Sequence, residues 1–133
     1  MKRPIVGVGI ALVLLVGCAS NSGTYAPDCV AFEGTTIELA DGRFVMDKFT
    51  DQVEVDDSGN ARDPFPGYPV SGTYRFDGKA LHLQPESGAE LPVLYRVKGE
   101  GRYRLLTAEQ FEAWTTSNTI DDCALTLGAG SGN

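Results

Sequence analysis

The sequence lacks an apolar run long enough to cross a bilayer. The longest such stretch, residues 5–16, contains twelve residues, whereas a transmembrane helix needs about twenty. A membrane-spanning segment is therefore the weaker interpretation of this stretch.

Histidine and cysteine are both scarce. With one histidine, His82, and three cysteines outside any C-x-x-C pair, the chain cannot supply the ligands of a typical structural zinc site. An enzyme would need a positioned base with a nucleophile or metal. His82 lies between Leu81 and Leu83 in an alternating segment, so we expect it to face outward from a sheet. These features favour a non-catalytic protein without metal or cofactor.

Basic residues are outnumbered by acidic ones. The chain has 11 Lys and Arg against 18 Asp and Glu, a formal charge of -7, and loss of residues 1–17 with Lys2 and Arg3 would make it -9. A strongly acidic protein is repelled by polyanions and by anionic membranes. Nucleic acid is thereby excluded as a partner, and a polybasic membrane contact is disfavoured.

The N-terminal segment has the organisation of a secretory signal peptide. Lys2 and Arg3 precede the apolar stretch, and the small residue Gly17 precedes Cys18. The segment Leu15-Val16-Gly17-Cys18 resembles the lipobox of bacterial lipoprotein precursors, whose cysteine is lipidated and becomes the first residue.

This resemblance implies a cellular location. Cys18 would carry a diacylglyceryl thioether and an amide-linked acyl chain, and several buried acyl chains anchor a protein far more firmly than one. In that family, residues such as Ala19 and Ser20 after the cysteine imply sorting to the outer membrane, facing the periplasm.

Lipidation of Cys18 would leave two cysteines, Cys29 and Cys123, in an oxidising compartment. We predict that they form a disulfide that closes nearly the whole folded region. The alternative is two separate buried thiols.

Composition divides the chain into four parts. We assign residues 1–17 to the signal peptide and the small, polar residues 18–28 to a flexible tether behind the anchor. Residues 29–127 form a single domain, and the Gly- and Ser-rich residues 128–133 form a disordered tail.

Apolar and polar residues alternate with a period of two through most of the domain, as in half-buried strands. Asp77-Gly78 predicts a type I′ hairpin turn, and Asp41-Gly42 predicts a second turn of the same kind. Gly99-Glu100-Gly101 links a further pair of strands. The predicted strands are residues 35–39, 44–49, 52–55, 70–76, 80–84, 91–97, 102–106 and 122–127.

One helix is predicted after Thr107. Gln110 follows Thr107 at the spacing of a capping box. Phe111 and Trp114 then share one face of a helix of about ten residues. We expect this pair to plug an end of the sheet rather than to bind a cofactor.

The many short strands and close turns predict a mainly β fold, a small antiparallel up-and-down barrel of about 6–8 strands with one short helix near the C-terminus. A filled interior is favoured over a ligand cavity. The residues expected to point inward are Phe32, Ile37, Phe44, Val53, Tyr74, Phe76, Leu81, Leu83, Val93, Tyr95, Tyr103 and Leu125.

The segments Gly72-Thr73-Tyr74, Asp77-Gly78 and Leu81-His82-Leu83 resemble the meander of lipocalin-like bacterial envelope lipoproteins. The resemblance covers residues 29–127 and implies a barrel, with no particular activity.

One acidic segment has some features of a calcium-binding loop. Asp56, Ser58 and Asn60 have alternate spacing, but Ala61 and Gly67 stand where an EF-hand loop needs glycine and glutamate. We therefore expect a solvated hairpin loop here.

The segment from Pro64 to Pro69 is the most unusual candidate surface. Its three prolines cannot continue a strand ladder, so Phe65 and Tyr68 are held on a stiff loop. This loop either covers the mouth of the barrel or meets a partner.

Two functions remain open. The first is a lipid-anchored, non-catalytic envelope module that binds a protein or a small apolar ligand, or is structural. The second is an inhibitor of a cationic cell-wall hydrolase, because Ser71-Gly72-Thr73-Tyr74 partly resembles the inhibitory loop of membrane-bound lysozyme inhibitors and the acidic surface suits a basic enzyme.

Overall fold

The computed structural model describes residues 22–29, 33–120 and 123–128, and the predicted signal peptide and Cys18 lie outside them. The elements are β1 (Gly23–Pro27), β2 (Glu33–Ala40), β3 (Arg43–Thr50), β4 (Glu54–Val55), β5 (Ala61–Arg62), β6 (Val70–Asp77), β7 (Ala80–Pro85), β8 (Leu94–Gly99), β9 (Arg102–Leu106), α1 (Ala108–Ser117) and β10 (Leu125–Leu127).

Eight strands form a closed antiparallel barrel in the order β1-β10-β9-β8-β7-β6-β3-β2, with β2 pairing back onto β1. The predicted fold class is confirmed. Alternation produces the strands as expected. In β2, for example, Ile37 and Leu39 are buried while Glu38 between them is exposed. The short strands β4 and β5 form a separate exposed hairpin.

The two ends of the barrel differ. We call one the hairpin end, because it carries the tight turns at 41–42, 78–79 and 100–101, where β1 also begins and β10 ends. The other is the loop end, formed by residues 51–69 and 86–93, and the chain leaves the barrel for α1 and returns from it at this end.

The hairpin turns follow the sequence signals with one exception. Asp41-Gly42 and Glu100-Gly101 both have positive φ at the two central positions, as a type I′ turn requires. Asp77, however, pairs with Ala80, so the loop is Gly78-Lys79 with positive φ only at Gly78. The turn predicted as type I′ at Asp77-Gly78 is therefore displaced by one residue and has glycine first, as in type II′.

Side chains fill the interior of the barrel. The fully buried ones come from strands around its whole circumference: Tyr25, Ile37, Leu39, Phe44, Leu81 and Leu105. Large side chains of this kind contribute about 1.5–3 kcal/mol each when they are removed from water. The predicted inward positions Tyr74, Phe76, Tyr103 and Leu125 pack against this core, and Phe32 lies outside the described residues.

A second, smaller core lies between α1 and the outer face of β8 and β9. It contains Val97, Leu106 and Ala124, with Phe111 and Trp114 packed against them. The helix begins as predicted, because Thr107 and Gln110 form both hydrogen bonds of the capping box.

The helix covers the side of the barrel rather than an end, which corrects the predicted role of Phe111 and Trp114. The prediction for Tyr95 is also wrong. This ring stacks on Phe111, with centroids 4.5 Å apart and planes 9° apart. The β8 pairing explains the error, since Tyr95 is opposite Leu106 of the outer core.

Three predicted boundaries are wrong. The tether assigned to residues 18–28 overlaps β1, whose Tyr25 is fully buried. Val53, expected in the core, is 74% exposed, and only Glu54–Val55 of the predicted strand 52–55 pairs. Strand β8 begins at Leu94 rather than residue 91, because Pro92 cannot donate a ladder hydrogen bond.

Candidate functional site

The cysteines predicted to pair do form a disulfide. Cys29 follows β1 and Cys123 precedes β10, and their Cα atoms are 5.0 Å apart. Because β1 and β10 are the first and last barrel strands and pair directly, the bond joins the two sides of the seam.

The predicted aromatic loop lies at the loop end beside β3. Lys48 Nζ from β3 is 5.2 Å from the ring centroid of Tyr68 and 5.9 Å from that of Phe65. The Tyr68 amide donates to the Phe65 carbonyl at 3.2 Å, which sets the two rings on one turn. A lysine placed over aromatic faces is attracted by their negative potential.

The two rings have different roles in packing. Tyr68 packs against the barrel core, whereas Phe65 is partly buried without joining that cluster. Tyr68 thus covers part of the loop end, whereas Phe65 contributes little to the core.

Other residues singled out from the sequence have structural roles. The predicted outward position of His82 is confirmed, since Leu81 and Leu83 on either side of it are buried in the barrel core. Asp56 Oδ1 accepts hydrogen bonds from the amides of Ser58 and Asn60, at 2.9 Å each, which closes the β4–β5 hairpin. This loop is the solvated hairpin expected from the sequence.

The close approach of β6 to β7 explains why position 72 is a glycine. A Cβ at this position would lie 2.0 Å from the carbonyl oxygen of Gln84 on β7. The segment Ser71 to Tyr74 is therefore a barrel strand with a close backbone contact, not the exposed loop of the partial inhibitor motif.

Sequence analysis missed a cluster of basic side chains at the hairpin end. In β8, Arg96 pairs with Leu105 and Lys98 pairs with Tyr103, and both partners belong to the inner face of β9. Arg96 and Lys98 therefore point toward the barrel axis, where an apolar residue is the usual occupant.

Aromatic rings accommodate these cations. Arg96 Cζ lies 4.5 Å from the centroid of Phe76 and 4.8 Å from that of Tyr103, and Lys98 Nζ lies 5.3 Å from Tyr103. Such contacts stabilise a cation by about 0.5–2 kcal/mol, more as water is removed.

Deeper in the barrel, Tyr25 lies close to the same arginine. Burial raises the pKa of Tyr25 above its ordinary value of 10.0, while the positive charge of Arg96 acts in the opposite direction. The phenol therefore stays protonated at neutral pH and beyond.

Two clefts open at the hairpin end and share Lys98. One, of about 440 Å³, is lined by Lys79, Arg96, Lys98 and Tyr103 among others. The Arg96 amide donates to the Lys79 carbonyl at 2.8 Å, which holds the 78–79 turn beside β8.

The second cleft, of about 360 Å³, is lined by Lys98, Arg104 and Asn118 among others. Arg104 is 5% exposed, and one of its terminal nitrogens donates to Glu100 Oε1 at 2.9 Å. Its buried Nε has no hydrogen-bond partner within the described part of the chain.

Charged side chains are unevenly distributed along the barrel axis. The loop end carries a concentration of carboxylates, which are Asp51, Glu54, Asp56, Asp57, Asp63 and Glu90. The hairpin end holds most of the arginines and lysines of the folded part, which are Arg43, Lys79, Arg96, Lys98, Arg102 and Arg104. Net charge alone conceals this polarity.

Comparison with known proteins gives no assignment. No family model, curated protein or solved structure matches the chain. Within residues 22–29, 33–120 and 123–128, no group of three or more His, Cys, Asp or Glu side chains is placed to hold a metal ion. In the same ranges, no helix combines the length and apolar character needed to cross a membrane.

Proposed function

We propose that this protein is a lipid-anchored, non-catalytic lipoprotein of the bacterial cell envelope, held through Cys18 at the outer membrane and facing the periplasm. Its barrel serves as a binding or structural module there. The observation that carries the proposal is the resemblance of Leu15-Val16-Gly17-Cys18 to a lipobox, with four residues between Cys18 and the first barrel strand at Gly23.

The filled interior favours binding at the surface over enclosure of an apolar ligand. Fully buried side chains such as Tyr25 and Phe44 occupy the space that a ligand would need. A protein partner at the loop end, with Phe65 as its contact, fits this architecture better than a small apolar ligand inside the barrel.

The hydrolase inhibitor is the alternative function. The acidic loop end suits a basic enzyme, but Gly72, the centre of the partial inhibitor motif, is accounted for by its contact with Gln84. Inhibition of a lysozyme by the purified barrel would favour this alternative over the general binding module.

Lipidation is tested in the cell. The wild-type protein should incorporate an alkyne-labelled fatty acid and lose residues 1–17, whereas Cys18→Ser should remain unlabelled and uncleaved. Cys29→Ser is the matched control, because it removes a different cysteine and should retain the label. Equal labelling of Cys18→Ser and the wild type would overturn the proposal.

A further inference from the structure

The first barrel strand fixes which end of the protein is nearest to Cys18. Strand β1 begins at Gly23, which pairs with Leu39 beside the 41–42 turn, so the chain enters the barrel at the hairpin end. The five steps from Cys18 to Gly23 span at most about 18 Å. The loop end lies about 20 Å farther along the eight-residue strands.

The end nearest to Cys18 is also the basic end. Lys79 and Lys98 line one cleft there together with Arg96. Neither lysine belongs to a salt bridge among the residues that the structure describes. The neighbouring cleft shares Lys98 and adds Arg104, whose buried Nε lacks a partner in those same ranges.

Nearby acidic groups only partly offset these charges. Asp41 and Asp77 also lie at the hairpin end, and Glu100 accepts a hydrogen bond from Arg104. Two other arginines at this end are paired with carboxylates, Arg43 with Glu86 and Arg102 with Asp28. Outside these three pairs, the positive groups named at this end are Lys79, Lys98 and Arg96. They face two negative groups, Asp41 and Asp77, so the positive charge exceeds the negative charge by one.

We propose that the hairpin end binds the phosphate groups of anionic lipid headgroups, with Lys79, Lys98 and Arg96 as the contacts. The orientation rests on the proposed anchor at Cys18, and the charge complementarity rests on the barrel alone. Arginine and lysine are the usual partners of phosphate oxygens. The acidic loop end would then point away from the membrane, toward partners.

The test uses the chain from residue 18 to residue 133, which retains every described residue, without acylation. The Cys18 thiol is coupled to a maleimide lipid in vesicles, so that the outcome does not depend on whether cells lipidate this residue. Acetylation rates of individual lysines are then measured by mass spectrometry on phosphatidylcholine vesicles with and without phosphatidylglycerol.

We expect phosphatidylglycerol to slow acetylation of Lys79 and Lys98 by about fivefold, the factor that corresponds to one lysine at an anionic surface. Protection should fall with added salt, because exposed charges are screened. Lys48 lies at the loop end and should react at the same rate on both vesicles. Lys98→Gln should reduce the protection of Lys79, whereas the matched variant Lys48→Gln should not.

Three results would overturn the proposal. The first is equal acetylation of Lys79 and Lys98 on both kinds of vesicle. The second is equal protection of Lys48, which would indicate contact without orientation. The third is full protection of the uncoupled protein by inorganic phosphate alone, which would assign the site to a soluble anion. A failed Cys18 labelling experiment in cells would remove the natural anchor and leave this measurement unaffected.

Discussion

The disulfide between Cys29 and Cys123 ties the end of the first barrel strand to the start of the last, across a seam held by the pairing of β1 with β10. Strand β10 has only three residues, so its ladder alone provides few hydrogen bonds. The covalent bond reinforces the place where the barrel is closed.

We predict that loss of this bond lowers the free energy of unfolding by about 2–4 kcal/mol, because it closes a loop spanning 94 residues. The double variant Cys29→Ser/Cys123→Ser should show this loss in urea denaturation. Peptide mapping without reduction should find the two cysteines joined. Two alkylatable thiols in protein freshly purified without a reductant would contradict the assignment.

The aromatic loop yields a prediction that separates packing from binding. Tyr68→Ala should lower the free energy of unfolding by about 1–3 kcal/mol, because this ring packs against the core. Phe65→Ala should leave the melting temperature nearly unchanged and weaken an envelope partner by more than about 1 kcal/mol.

Val53→Ala is the control, since this side chain is 74% exposed. Thermal denaturation and a binding assay on the same three variants provide the comparison. If Phe65→Ala lowered the melting temperature as much as Tyr68→Ala and left binding intact, both rings of the loop would have a packing role and no binding role.

Tyr25 predicts a dependence of stability on alkaline pH. Because burial raises its pKa in the folded state, the unfolded chain loses the phenolic proton first as the pH rises above 10.0. The folded protein then binds more protons than the unfolded one, so stability falls as the pH increases.

Tyr25→Phe removes this titration, so its stability should fall less steeply than that of the wild type between about pH 8 and about pH 11. Urea midpoints of both proteins across that range measure the difference. If the urea midpoints of the two proteins changed in parallel with pH, Tyr25 would not contribute to the pH dependence of stability.

Gly72 provides the last prediction. Gly72→Ala would place a methyl group 2.0 Å from the carbonyl oxygen of Gln84, a backbone atom that cannot move without disturbing the β6–β7 ladder. We expect a loss of about 1–3 kcal/mol, as for overpacking elsewhere. Ser71→Ala is the control at the neighbouring position. A stable Gly72→Ala protein would reopen a functional role for this segment.

Local patterns in the sequence determined much of the fold. The alternation in β2 and β3, the Asp41-Gly42 turn and the Thr107 capping box each depend on residues a few positions apart, and each is present as predicted. The pairing of Cys29 with Cys123 followed from the count of cysteines that remain when Cys18 is assigned to lipidation. The strand, turn and cap signals can be read from the sequence because their physical causes are local. The disulfide can be read because two cysteines allow only one pairing.

Only the tertiary structure decided the rest. Tyr25 lies among small residues and a proline with little strand character, and it becomes buried because closing the barrel gives β1 two neighbours. Tyr95 alternates like an inward residue, but α1 provides an outer core that accepts it instead. The basic end was hidden because Lys79, Arg96 and Lys98 come from separate positions in the chain, and strand pairing sets their shared location.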